Sequence, residues 1–482
     1  MKGLNIKGSF KSGSFKKGTY SAGLSAMVIA VVIVINLVAG QLPESVRSID
    51  MSSQKYYTIG DSTKKILKNL KDDITIYQMT KNGNEDSRIK KLLETYKSGS
   101  DKIKVETLDP DLQPGVVTKY EATQATDNSL IVVNGDRHKL IDYSEIYVQD
   151  YSQYYTTGAT SSSFDGEGRI TSAINYVTTD NLPKMYTLSG HSEQQLSQTI
   201  TDAVEKQNIS TEELNLLASQ DVPEDCDVLA IICPGTDCSE EEAESIISYL
   251  EAGGKALIVM NYQGNEQPNF NKVLEAYGVR LQDGYVIEND QNYYYQYGYY
   301  LLPEVAQHDI TSSFYGKMYV MAPMSQGIVK LSEARSTLQI EDLITTTEDS
   351  YADVDYGESS AQDGNYAKAE DDVDGPFSLA VAITESADDK ETKLAVYGSY
   401  LMFAENITNS FSLGNVEMFT NSLSWMCGET GNIVAIEAKS MDVQQNTIAT
   451  SKSNLWTAVF VAIIPLVVII TGFVVWYRRR RA

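Results

Sequence analysis

Two stretches of the chain are apolar almost without interruption, and they lie near its two ends. Ser21 to Leu42 reads SAGLSAMVIAVVIVINLVAGQL, and Leu455 to Tyr477 reads LWTAVFVAIIPLVVIITGFVVWY. A helix rises about 1.5 Å per residue, so either run is long enough to cross roughly 30 Å of hydrocarbon. Trp456, Trp476 and Tyr477 sit at the ends of the second run, where an aromatic belt belongs. Pro465 in its middle is tolerated in membrane helices. The pattern predicts two transmembrane helices, 21–42 and 455–477. The rival reading of the first is a signal peptide cut near Val38-Ala39-Gly40; the length of the run and of the basic region before it favour retention.

Between these runs the periodicity alternates between strand and helix. Asp73–Met79 (DITIYQM) and Ile103–Leu108 (IKVETL) read as strands around an amphipathic helix, Arg88–Tyr96 (RIKKLLETY). A further helix, Ser62–Leu70, begins at a Ser62 cap. Ser129–Val133 and Lys139–Asp142 flank Asn134-Gly135, a hairpin signal. Strand, helix, strand, hairpin is a thioredoxin-like order, so 43–143 is expected to be such a unit, without the C-x-x-C that redox chemistry requires. Residues 144–182 read as a Tyr/Ser/Thr/Gly-rich linker followed by a helix.

From residue 183 the pattern is that of a doubly wound α/β domain. Lys184–Leu188 is a strand, and Ser192 with Gln195 reads as a capping box for a helix to Gln207. Val228–Cys233 (VLAIIC) is a continuous apolar strand, as expected where both faces of a sheet are covered. Ser239–Ala252 is a helix capped by Ser239, with three glutamates in its first turn and Gly253-Gly254 at its end. Lys255–Met260 is the next strand. The domain is expected over 183–344 and again over 376–454, where Ser378–Thr384 and Lys393–Gly398 are strands and Val416–Cys427 a helix. Residues 345–375 read as an acidic, flexible insert.

Charge then sets the orientation. The formal net charge is −26. Nine positive charges lie in the end segments 1–20 and 478–482, which carry no acid, so the middle carries −35. Basic flanks stay on the cytoplasmic side. Both termini are therefore expected in the cytoplasm of a bacterial cell and residues 43–454 outside it. A middle this acidic repels phosphate, which argues against a nucleic-acid partner. Cys226, Cys233, Cys238 and Cys427 lack metal-ligand spacing; they read as core thiols, with a disulfide left open.

Chemistry has few candidates. Gly190, His191 and Glu193 follow a strand and open a helix, where α/β sheets usually hold ligands. A His beside a Glu suits acid–base work, but no nucleophile or second histidine accompanies it, so a structural turn or binding turn is the stronger reading. Tyr293, Tyr294, Tyr295 and Tyr297 belong to a tyrosine-rich stretch suited to a partner or ligand surface, or to half-buried strands. Glu370 to Gly375 resembles a calcium loop but lacks the Glu at its twelfth position. No G-x-x-x-x-G-K-[ST] is present, so any use of ATP belongs to another protein. No catalytic residue, cofactor or metal is expected.

Several stretches together resemble the GldG-type, gliding-motility-associated auxiliary component of ABC transporters. They are Ser53–Ile59 (SQKYYTI), Arg88–Tyr96 with Ile103–Pro110, Ser189–Glu193 (SGHSE), Val228–Pro234, Tyr249–Asn261 (YLEAGGKALIVMN) and Gly414–Trp425 (GNVEMFTNSLSW). Two positions depart from the family pattern: Asn261 stands where it carries Asp, and Ser192 where it carries Gly. The resemblance implies a thioredoxin-like unit and a flavodoxin-like or glutamine-amidotransferase-like domain. It also implies a non-catalytic subunit of an ABC export system, partnered by a permease and an ATPase, with Asn261 among the candidate binding positions. The alternatives are an extracellular sugar- or peptide-binding receptor and, more remotely, a hydrolase using His191 and Glu193.

Overall fold

In the computed structural model, the described residues are 55–81, 83–150, 161–262, 264, 266–354, 368–387, 390–409, 413–427, 436 and 438–441, with 27, 29–34 and parts of 470–480. The chain divides into two compact units, 1–440 and 441–482.

The first layer of the larger unit contains α1 (Asp61–Asn69), β1 (Ile74–Met79), α2 (Ser87–Gly99), β2 (Ile103–Leu108), β3 (Leu130–Asn134) and β4 (Arg137–Ile141). Their sheet runs β2-β1-β3-β4, with β1 parallel to β2 and antiparallel to β3. The strand–helix–strand–hairpin order read from the sequence is present. Asp86 caps α2 by accepting from the backbone N–H groups of Arg88 and Ile89. The apolar stripe Ile89, Leu92, Leu93 and Tyr96 is buried. α1 starts differently from expectation: its N-cap is Gly60, not Ser62. Gly60 N–H is taken instead by the distant Glu167 carboxylate at 2.6 Å.

The stretch expected as a linker carries regular structure. β5 (Tyr147–Asp150) and β6 (Ser161–Phe164) pair antiparallel, and β6 also pairs Lys439–Ser440. Serine-rich β6 has little apolar patterning of its own, and its pairing partners lie far away in sequence, so periodicity could not reveal it. α3 (Gly166–Thr178) follows and packs on β3 and β4.

The second layer is the larger sheet. β7 (Lys184–Leu188), α4 (Gln198–Lys206), β8 (Ser210–Leu214), β9 (Val228–Ile232), α5 (Glu240–Glu251), β10 (Lys255–Val259), α6 (Pro268–Ala276), β11 (Val279–Leu281), β12 (Ile328–Lys330), β13 (Leu338–Thr345), β14 (Ser378–Ala387), β15 (Lys390–Tyr397) and α7 (Asn415–Cys427) build it. Strands β8-β7-β9-β10-β15 are parallel neighbours. Numbered along the chain this is order 2-1-3-4-5, that of doubly wound flavodoxin-like sheets. β14 then turns back antiparallel, and β13 adds to it. One apolar core contains Ile200 and Val204 of α4 with Met418, Phe419 and Leu423 of α7. The other contains Ala243, Ile246 and Leu250 of α5 with Phe270, Val273 and Leu274 of α6. Central β9 is buried at every position because both faces are covered.

Two further expectations change. The helix expected from a Ser192 cap starts at Gln198, capped by Ser197, whose side chain accepts from Ile200 N–H at 3.3 Å. Ser192 has a φ of +59°, a turn conformation rather than a cap. The acidic insert holds short strands, Tyr351–Asp353 and Val373–Asp374, which pair with each other, while Tyr285–Ile287 pairs with the first; 355–367 lie outside the described residues. Among the described residues no helix is long and apolar enough to cross a membrane. Residues 29–34 and several of 470–480 are helical and exposed, and the remainder of the two expected spans lies outside the described residues.

Candidate functional site

Order 2-1-3-4-5 reverses direction between β7 and β9, and the crevice at their carboxyl ends is where such sheets hold ligands. The turn after β7 contains Gly190, His191 and Glu193. The loop after β9 runs under it: Gly235 and Thr236 donate their N–H groups to the His191 carbonyl, at 2.8 and 3.0 Å. Gly190 has φ +119°, and a Cβ there would lie 3.1 Å from the Asn215 amide nitrogen. A side chain at position 190 would therefore be strained.

His191 is buried, 4% exposed, and both ring nitrogens face carboxylates. Nδ1 lies 2.9 Å from Glu193 Oε1 and Nε2 3.2 Å from Glu242 Oε2. Glu193 Oε2 also accepts the His191 backbone N–H at 2.9 Å. Glu242 is the third residue of α5 and completes a capping box, accepting from Ser239 N–H at 2.9 Å while Ser239 Oγ accepts from Glu242 N–H at 3.2 Å. The Phe270 ring of α6 meets the imidazole edge-on, 5.8 Å between centroids. The loop after β9 is tied to α6 as well: Gln267 Nε2 donates to Pro234 O at 2.7 Å, and the Asp237 carboxylate caps the helix through Asn269 and Phe270 N–H.

This arrangement is a lock joining the β7 turn to α5 and α6. With its ring sealed, His191 presents no free nitrogen to a substrate. Among the described residues no cluster of His, Cys, Asp or Glu could hold a metal ion. Glu242 was legible as an acidic residue in the first turn of a helix capped by Ser239, and the structure adds that it closes a capping box. Its pairing with His191 was not legible, because 51 residues separate them. Glu242 Oε1 remains buried without a hydrogen-bond partner. Cys233, at the end of β9, has φ +44°, a strained conformation for a side-chain-bearing residue, and is buried as its apolar setting suggested.

Asn261 follows β10 on the same carboxyl edge. Its amide donates to Tyr262 O at 3.1 Å and its Oδ1 is buried without a hydrogen-bond partner. The tyrosine stretch belongs to a separate loop. Tyr295 and Tyr297 are exposed, and Tyr297 stacks on Tyr299 at 5.5 Å. Tyr294 bridges to Leu301. Tyr293 donates to Glu304 at 3.0 Å, and that contact raises the phenol above its ordinary value. Tyr293 and Glu304 line a cleft of about 1090 Å³ together with Arg280, Lys330, Asp342 and Asp374. An ion pair of 2.8 Å joins Lys330 to Asp342 across its lining.

Comparison with known proteins found no match among curated proteins. Residues 53–149 match a domain of unknown function, DUF7088. Among solved structures, the mmIFT52 N-terminal domain is 15% identical, with a TM-score of 0.38 over 51% of this chain and 97% of that one. A cytoplasmic protein, STM3548, from Salmonella typhimurium is 14% identical, with a TM-score of 0.32 over 51% and 98%. PurLQS from Thermotoga maritima is 12% identical, with a TM-score of 0.25 over 51% and 100%. Likenesses this weak decide nothing about function. Residues 177–423, half of the chain, match the family described as ABC-type uncharacterized transport system, and the chain belongs to that family of ABC-transport auxiliary components.

Proposed function

We propose that the protein is a membrane-anchored, non-catalytic subunit of an ABC export system of the GldG type. Residues 43–454 form an extracytoplasmic module held by two helices, 21–42 and 455–477, beside a separate permease and ATPase. The observation that carries this reading is the family match over 177–423. Support comes from the basic ends, from the absence of a phosphate-binding loop in the sequence and from the sealed His191 lock at the position where related topologies place chemistry. Purification of the tagged full-length chain from its native membranes tests it. An ABC permease and an ABC ATPase are expected in the eluate in fixed proportion; recovery of neither refutes the proposal.

A second reading, a receptor for an extracellular sugar or peptide, draws on the cleft beside Tyr293. A ligand-induced rise in melting temperature that Tyr293→Ala abolishes would favour it, and a flat response across sugars and peptides would count against it.

A further inference from the structure

The two segments leading out of the module toward the expected membrane helices meet at one place. Lys439 Nζ donates to Glu167 Oε2 at 2.8 Å, to Lys55 O at 3.0 Å and to Thr58 O at 2.8 Å. Tyr56 Oη donates to Ser440 O at 2.8 Å. Lys439–Ser440 form the outer strand of a small sheet, with Ser440 opposite Ser163 and Ser163 opposite Val148. Just before this strand, Ile436 O accepts from Lys206 Nζ at 2.6 Å, and the same ammonium bonds the buried Asp165 carboxylate at 2.8 Å. Residues near 55 and near 440 are thus fastened to each other and to the first turn of α3.

The clasp has a defined place on the large sheet. Lys206 ends α4, and the chain then enters β8 at Ser210, so the clasp lies at the amino edge of the parallel strands. The His191 turn and the helix Leu216–Ser219 follow the carboxyl ends of β7 and β8. A five-residue strand separates these edges by about 17 Å. Outside the clasp, residues 43–54 and 442–454 are the only chain between the module and the two apolar runs. Segments of that length reach at most about 45 Å when fully extended.

We infer that the clasp edge of the module faces the membrane, and that the carboxyl edge, with its crevice and the His191 lock, points away from it. This rests on the membrane-anchored reading above and adds the orientation that reading leaves open. Both connections to the apolar runs start from the clasp, so its distance from the bilayer is capped at that reach, and the carboxyl edge lies about 17 Å further along the module from both. The partner of the clasp face is the lipid surface, and the distal crevice is left open to the extracytoplasmic space.

Energy transfer to the membrane tests it. The full-length chain carries Val148→Cys, on the same rung as Ser440, or Leu217→Cys, on the opposite edge; both native side chains are exposed. A maleimide donor selects the new thiol: Cys233 is buried, and burial pushes the thiol of Cys226 up to about 11 and those of Cys238 and Cys427 up to about 12. In phosphatidylethanolamine–phosphatidylglycerol vesicles carrying a rhodamine headgroup acceptor, donor quenching is expected to be stronger from position 148 than from 217. Equal quenching, or the reverse order, overturns the inference. Failure of the chain to partition into the vesicles refutes the anchored reading and the orientation with it. Separately, Ser163→Cys with Ser440→Cys is expected to form a disulfide under mild oxidation, because residues directly opposite in an antiparallel pair lie about 4.5–5.5 Å apart. No crosslink in a chain that does enter the vesicles removes the clasp while leaving the anchoring intact.

Discussion

Replacing His191 with Ala probes the lock at the carboxyl edge of the sheet. In the native protein one imidazole sits between two carboxylates, 2.9 Å from Glu193 and 3.2 Å from Glu242. The side chains of His191, Glu193 and Glu242 are 5%, 9% and 5% exposed, so water cannot replace the ring without opening the site. Removing the ring leaves the buried Glu193 and Glu242 oxygens without their hydrogen-bond partner, at about 1–3 kcal/mol for each stranded group. The edge-on contact with Phe270 is lost as well. For a unit of this size such a loss corresponds to a fall in melting temperature of about 3–6 °C, measured by circular dichroism on the purified full-length chain. The reasoning also fixes a sign. If the penalty comes from stranded carboxylates, Glu242→Gln is less harmful in the His191→Ala background than in the native chain, with a coupling of about 0.5–3 kcal/mol. A His191→Ala chain that melts within a degree or two of the native one refutes the lock. A large loss without that coupling assigns the cost to packing alone.

Other perturbations test other parts. Ser239→Ala removes half of the capping box on α5 and is expected to destabilise the chain by about 1 kcal/mol, read from its denaturation midpoint. Glu385 is held below the ordinary glutamate range by the Arg335 fork, at 2.7 and 3.0 Å, and by Thr337. A depressed carboxylate contributes stability above its ordinary value near 4.5, and that contribution disappears as pH falls through the folded-state value. Denaturation midpoints at pH 6 and pH 3 should therefore converge more for Glu385→Gln than for the native chain; equal losses in both contradict the assignment.

How far the sequence reached depended on the range of each interaction. β9, α5 and β10 were legible because an apolar run, a Ser239 cap and a Gly253-Gly254 stop are local signals. The hairpin β3–β4 was legible from Asn134-Gly135. β6 was not, because serines carry no periodicity and the strand exists through Tyr147–Asp150 and Lys439–Ser440. The start of α4 was misplaced because Ser192 and Ser197 both precede helix-forming residues; only the turn geometry, with φ +59° at Ser192, separates them. At the site, His191 and Glu193 are neighbours in sequence and were found together. Glu242, Phe270 and the Lys439–Glu167 contact arise from tertiary packing, which no single stretch of residues encodes. The order of several motifs along the chain carries the family likeness, and residues 177–423 match the family of ABC-transport auxiliary components.

The account stands or falls on where the acidic middle resides. Intact cells expressing the full-length chain with a cytoplasmic tag, treated with an added protease, give the most direct answer. If residues 43–454 face outward and both basic ends stay inside, as proposed, the full-length band is lost while short tagged end fragments survive. A full-length chain that persists until the cells are lysed contradicts the account.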